Sequence, residues 1–120
     1  MRDFTVQRKD IEQSFSLVWK FAVSRRIVSS SSAFEDLARR LSGAGVETVL
    51  FDAAGDIHTE GTIFLVLTEE EANAVKGAVF LASPASASLE AKMLCSYVSS
   101  LDGKDAVAEM ADLIMTAKGA

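Results

Sequence analysis

The sequence predicts an α+β fold: a single compact domain over residues 1–120, ordered α-α-β-β-α-α-α, with a central antiparallel hairpin covered by helices. Three observations predict it. Two strand-like runs, Val46–Asp52 and Gly61–Thr68, are separated by an Ala-Ala-Gly turn. Three capping boxes, Asp10 with Gln13, Ser32 with Glu35 and Thr68 with Glu71, mark helix starts. Elsewhere apolar residues recur at steps of three and four, the helical period. A hairpin alone is marginally stable in water, so helices or a second chain must cover it.

The first helix, opened by Asp10, places Ile11, Phe15, Val18, Trp19, Ala22 and Ile27 on one face. Before it, Phe4–Val6 is a candidate short edge strand. Ser29–Ser32 punctuates the chain, and the helix begun by Ser32 turns Phe34, Leu37, Ala38 and Leu41 inward. Gly43 and Gly45 supply the left-handed angles that stop it, and Arg39 and Arg40 suit its negative end.

In the hairpin, Asp52 and Gly55 occupy the first and fourth positions of a type I turn closed by a glycine bulge. That register pairs Asp52 with Asp56, Leu50 with His58 and Thr48 with Glu60. Val49, Phe51, Ile57 and Ile63 share one face; Asp52, Asp56, His58 and Glu60 share the other. Past Gly61, a candidate bulge, Ile63–Leu67 is apolar on both faces and must be covered twice. The Thr68 box opens a helix with Ala72, Val75, Val79 and Ala82 along one stripe. Ser83-Pro84 restarts the chain as a helix carrying Leu89, Met93, Leu94, Tyr97, Val98 and Leu101, ended by Asp102-Gly103. A last helix holds Val107, Met110, Leu113, Ile114 and Ala117.

Composition excludes several classes. With 49% hydrophobic residues the 120-residue chain is no disordered segment. Its longest apolar stretches, Phe15–Val23 and Gly77–Ala82, are short and the first is split by Lys20, so a membrane or secretory reading fails. The single cysteine, Cys95, allows no internal disulfide; a reducing cytoplasm and a packed thiol are expected. The formal charge of −5 is uneven: residues 1–44 carry eight basic and five acidic groups, whereas residues 45–120 carry four basic and twelve acidic ones. Either the two parts attract each other within the fold, or the acidic part meets a basic partner.

One constellation could carry chemistry. Asp52, Asp56, His58 and Glu60 offer carboxylate and imidazole ligands at the hairpin tip, a spacing a divalent metal could use, and equally an ordinary solvated strand face. With one histidine in the chain, no serine or cysteine dyad is recognisable. Gly43-Ala44-Gly45 lies between a helix and a strand, the reverse of a phosphate cradle, so no cofactor is expected.

The stretch Thr62–Glu71 resembles the wing strand and dimer helix of the multiple-antibiotic-resistance regulator family. That resemblance implies a degenerate winged-helix transcriptional regulator, whose DNA contacts would fall to Arg25, Arg26, Arg39 and Arg40. The acidic tip disfavours nucleic acid, since phosphate contact wants Lys and Arg there. The first expectation is therefore a non-enzymatic protein-binding or regulatory module, a small acidic inhibitor or immunity-type protein acting on a basic target. Glu60, Glu69, Glu70 and Glu71 would present charge, and Trp19 and Phe15 would anchor the partner. Edge-to-edge pairing of the hairpin predicts a homodimer. The alternatives are the winged-helix regulator and a metal-dependent enzyme using the hairpin tip.

Overall fold

Five short strands, all parallel, form one sheet in the order β2-β1-β3-β4-β5. The strands are β1 (Lys20–Ser24), β2 (Glu47–Phe51), β3 (Thr62–Leu65), β4 (Phe80–Ser83) and β5 (Tyr97–Val98). The helices are α1 (Ser32–Gly43), α2 (Glu69–Ala74), α3 (Leu89–Leu94) and α4 (Gly103–Ala117). This computed structural model describes residues 18–28, 32–54, 57–75, 77–78 and 80–118.

The chain leaves β1 through α1 to β2, crosses back to β3 on the other side of β1, and continues outward through β4 to β5. Parallel crossovers are right-handed almost without exception, so reversing the direction of travel moves the helices to the opposite face. The two cores follow that division. Phe21, Val23, Ile63, Leu65, Phe80 and Ala82 pack with Phe34 and Leu41 of α1 and Val107, Met110 and Ile114 of α4. Ala22, Phe64, Val66 and Leu81 pack on the other side with Ala72 of α2 and Ala91 of α3. A strand covered on both faces has no polar face to alternate with, and β3 and β4 are buried throughout.

The predicted antiparallel hairpin is absent. Val46–Asp52 and Gly61–Thr68 do contain strands, but β2 and β3 each pair with β1 and not with each other. The pairs Leu50–His58 and Thr48–Glu60 therefore do not form, since Thr48 lies opposite Phe21 and Leu50 opposite Val23; the expected Asp52–Asp56 pair involves Asp56, which lies outside the described residues. Thr62–Leu65 is paired on both sides within the chain, so it is not a wing and offers no free edge to a second copy.

Three predicted helices are corrected as well. The segment Lys20–Ser24 of the first is strand β1, set between β2 and β3; Phe4–Val6, Asp10 and Phe15 lie outside the described residues. The helix from Thr68 stops at Ala74, and its continuation to Ala82 becomes β4. The stretch from Pro84 to Leu101 holds only α3, followed by β5. In place of α-α-β-β-α-α-α, the described order is β-α-β-β-α-β-α-β-α.

Other local readings hold. Val46 and Gly45 donate to the carbonyls of Leu41 and Ser42, and Gly45 takes φ +82°, the left-handed stop expected after α1. Thr68 and Glu71 form the reciprocal capping box of α2. The last helix runs over Gly103–Ala117 with Val107, Met110 and Ile114 buried. Cys95 is buried at the end of α3. Among the described residues no helix is long and apolar enough to cross a membrane.

Candidate active-site cleft

In an open parallel sheet, ligands bind outside the carboxyl ends of the strands where the direction of travel reverses, here beside β1 and β3. Beyond those ends stand Ser24-Arg25-Arg26 after β1, Asp52 after β2 and Thr68–Glu71 after β3.

Glu71 sits in the middle of this group, and its side chain is only 3% exposed. One carboxylate oxygen accepts the N–H groups of Leu67 at 2.7 Å and Thr68 at 3.2 Å. The other accepts the Ser24 hydroxyl at 2.5 Å and lies 3.9 Å from Nε of Arg26. The Ser24 oxygen in turn accepts the Arg26 N–H at 3.1 Å. Ser24 is fully buried with its proton held by Glu71, so it fastens the strand end and is no free nucleophile. On β4, beyond β3, the buried Ser83 hydroxyl has no hydrogen-bond partner among the described residues.

A cavity of about 300 Å³ opens next to this tie, on the sheet face that also carries α2 and α3, and extends over β2, β1 and β3. Its polar lining is Lys20, Arg25, Asp52, His58 and Thr62; its apolar floor includes Ala22, Val49, Phe51, Ile57 and Phe64. Phe51 and Phe64 meet edge to face with ring centroids 5.1 Å apart, which fixes the floor. The backbone N–H of Arg25 donates to the carbonyl of Phe51 at 3.0 Å, bringing the ends of β1 and β2 together at the mouth.

Of the metal candidates, Asp52 and His58 line this cavity, Glu60 is exposed and not part of the lining, and Asp56 lies outside the described residues. Leu50 and His58 thus share a cavity without being paired as strand partners. Among the described residues no three His, Cys, Asp or Glu side chains gather to hold a metal ion. The carboxylates nearest the strand ends are also engaged: Glu71 as above, and Asp52 accepting the Ala54 N–H at 3.0 Å.

The residues expected to bind a partner scatter. Glu69 and Glu70 are exposed on the first turn of α2, while Glu71 is inside. Trp19 is 49% exposed, and Phe15 lies outside the described residues. Lys20 and Arg25 were missed as site residues because the strand between them reads as helix. The signal was present: charges at both ends of a short apolar run, Lys20-Phe-Ala-Val-Ser-Arg25, fit a buried strand.

The arrangement matches known structures. The 3-deoxy-D-manno-octulosonate 8-phosphate phosphatase of Moraxella catarrhalis, solved with magnesium, phosphate and KDO, superposes with TM-score 0.74 at 13% identity, covering 94% of each chain. The cobalt-bound form of the Haemophilus influenzae enzyme gives 0.72 at 13% identity over 89% of this chain and 92% of that one. A protein of Legionella pneumophila assigned to the HAD superfamily of hydrolases, subfamily III A, gives 0.74 at 10% identity over 92% and 89%. The fold is HAD-like. No protein-family model matches the sequence, and no curated protein matches it.

The HAD-like fold corrects the functional expectation. The solved structures that share this fold include phosphatases, so the comparisons do not support the first expectation of a non-enzymatic inhibitor, immunity-type protein or winged-helix regulator and agree better with the enzyme alternative. Magnesium and cobalt belong to the Moraxella catarrhalis and Haemophilus influenzae structures; in this chain no set of three donors gathers among the described residues, and Asp56 lies outside them.

Proposed function

We propose that this chain is an enzyme of the phosphate-ester hydrolase class, acting on a small phosphorylated molecule held in the cavity beside β1. The observation that carries the reading is that Arg25, just past the carboxyl end of β1, and His58, on the loop leading to β3, both line one cavity over β1, β2 and β3 in a HAD-like fold. Arg25 offers the planar donor fork that suits phosphoryl oxygens. His58 supplies an imidazole, a group able to act as general acid toward a leaving alcohol. Glu71, through Ser24 and the Leu67 and Thr68 N–H groups, locks the β1 and β3 ends on which Arg25 depends. The cytoplasm is the compartment we assign, since the one cysteine, Cys95, is buried and the sequence allows no internal disulfide.

The test is release of product from p-nitrophenyl phosphate by the purified chain, with and without added magnesium. Turnover should fall about 100-fold in His58→Ala, and Arg25→Ala should raise KM more than it lowers kcat. No turnover above buffer under either condition would remove the proposal.

A further inference from the structure

We infer that the molecule this cavity takes is a phosphate ester with a flat apolar body and a second acidic group, rather than a sugar phosphate; the inference rests on the hydrolase reading for its phosphoryl end. The floor decides the body. Ala22, Val49, Phe51, Ile57 and Phe64 present hydrocarbon, with Phe51 and Phe64 held edge to face at 5.1 Å. A sugar would bring hydroxyl groups that each need a partner, or lose hydration without return. Two of the polar side chains beside the floor are already engaged. The Thr62 hydroxyl donates to the Glu60 carbonyl at 2.9 Å, and an Asp52 oxygen accepts the Ala54 N–H at 3.0 Å.

The second acidic group follows from Lys20. It lines the same cavity at the amino end of β1, on the strand face shared by Ala22 and Ser24. Along an extended strand, five steps to Arg25 span roughly 16 Å. One phosphoryl group at Arg25 therefore leaves Lys20 to another anion. Lys20 is half-buried, and among the described residues no carboxylate pairs with it. An ammonium losing water beside hydrocarbon, with no anionic partner among the described residues, favours a ligand that brings one. The cavity of about 300 Å³ is at the small end of ligand pockets, large enough for a fused two-ring body and little more.

The experiment compares naphthyl phosphate, carboxynaphthyl phosphate and glucose phosphate on the whole chain and on Lys20→Gln, reading both binding by calorimetry and phosphate release. The expected order of affinity is carboxynaphthyl, naphthyl, glucose phosphate, with about tenfold between the first two, the size of one charge-assisted contact. Lys20→Gln should erase that tenfold step and keep the preference for naphthyl over glucose phosphate. Equal or tighter binding of glucose phosphate, no binding of any probe, or a carboxylate advantage that survives Lys20→Gln would overturn the inference. The expected binding order without phosphate release would leave it standing while removing the hydrolase reading. Release from glucose phosphate alone would do the reverse.

Discussion

Ser24 and Glu71, 47 residues apart in sequence, share a buried hydrogen bond of 2.5 Å that ties the end of β1 to the first turn of α2. The same carboxylate satisfies two backbone N–H groups of the loop after β3. One side chain thus closes the gap between the two central strands, where the fold places its ligands. A carboxylate so buried is stable only because every face of it is met by a donor.

Glu71→Ala should therefore destabilise the chain by roughly 3 kcal/mol, because it leaves two N–H groups and a hydroxyl without an acceptor. Glu71→Gln keeps one acceptor oxygen and should cost about half as much, and Ser24→Ala about 1 kcal/mol. Urea denaturation checks the order. Equal stability of Glu71→Ala and the parent would show that the tie contributes nothing.

Gly61 is held by a different constraint. Its φ is +61°, and a Cβ added there would lie 2.5 Å from the Trp19 ring. Its carbonyl accepts the N–H groups of Trp19 at 3.0 Å and Lys20 at 3.2 Å, so the backbone cannot retreat without breaking the entry to β1. Gly61→Ala is expected to cost about 2 kcal/mol, from the left-handed strain together with the displaced ring. Trp19 is the only tryptophan, so its emission should shift as the ring moves off the glycine. An unchanged spectrum and melting temperature would contradict the contact.

The strands at Glu47–Phe51 and Thr62–Leu65 were legible, and so were the turn-like residues between them; their partner was not. Val18, Trp19 and Ala22 fall at helical spacing, yet Val18 and Trp19 lead into a five-residue strand, Lys20–Ser24, whose middle, Phe21-Ala22-Val23, is apolar and buried on both faces. Such a run has no period of two to betray it. With β1 hidden as helix, the next two strands had only each other to pair with. Phe80–Ser83 was lost for the same reason, since Val75, Val79 and Ala82 continue the stripe of α2 past its end, although Gly77, three residues after Ala74, was a stop signal in the sequence. Asp52 and His58 were found because they flank a turn, whereas Lys20 and Arg25 depend on the register of β1. Capping chemistry survived because it acts within four residues: Thr68 with Glu71 is formed as read. That Glu71 also reaches Ser24 is a tertiary fact with no local signal.

Tyr97, the only tyrosine, can be titrated directly. Burial first, and then its hydrogen bond to Glu109 and the charge of that carboxylate, push its phenol from 10.0 up to about 12. The hydroxyl donates to one Glu109 oxygen, and Ser99 donates to the other at 3.2 Å, which fastens β5 to α4. Because the folded value is raised, this stabilisation is complete below the ordinary tyrosine range and disappears as pH rises through about 12. Phenolate absorbance should show the late midpoint, and Glu109→Gln should bring it down without reaching the ordinary value. A midpoint near 10.0 in the parent chain would show the contact is not made.

Asp102 fixes the other side of the same helix by the opposite shift. Its carboxylate accepts the Ser86 N–H at 2.7 Å, and the Leu101 carbonyl accepts the Ala85 N–H at 2.9 Å, which pins the loop after β4 to the start of α4. Hydrogen bonding from Ser86, with a smaller attraction from Lys92, holds the Asp102 acid below the usual aspartate range. A lowered folded value stabilises the protein above the ordinary aspartate pKa and is lost as pH falls through the folded one. Asp102→Asn should therefore melt below the parent at neutral pH, with the gap closing on acidification, because protonation of the parent removes what the substitution removes. Added salt should leave most of the neutral-pH gap in place, since a direct hydrogen bond carries the effect and salt screens only the Lys92 contribution. A gap independent of pH would assign Asp102 a role in packing and not in charge.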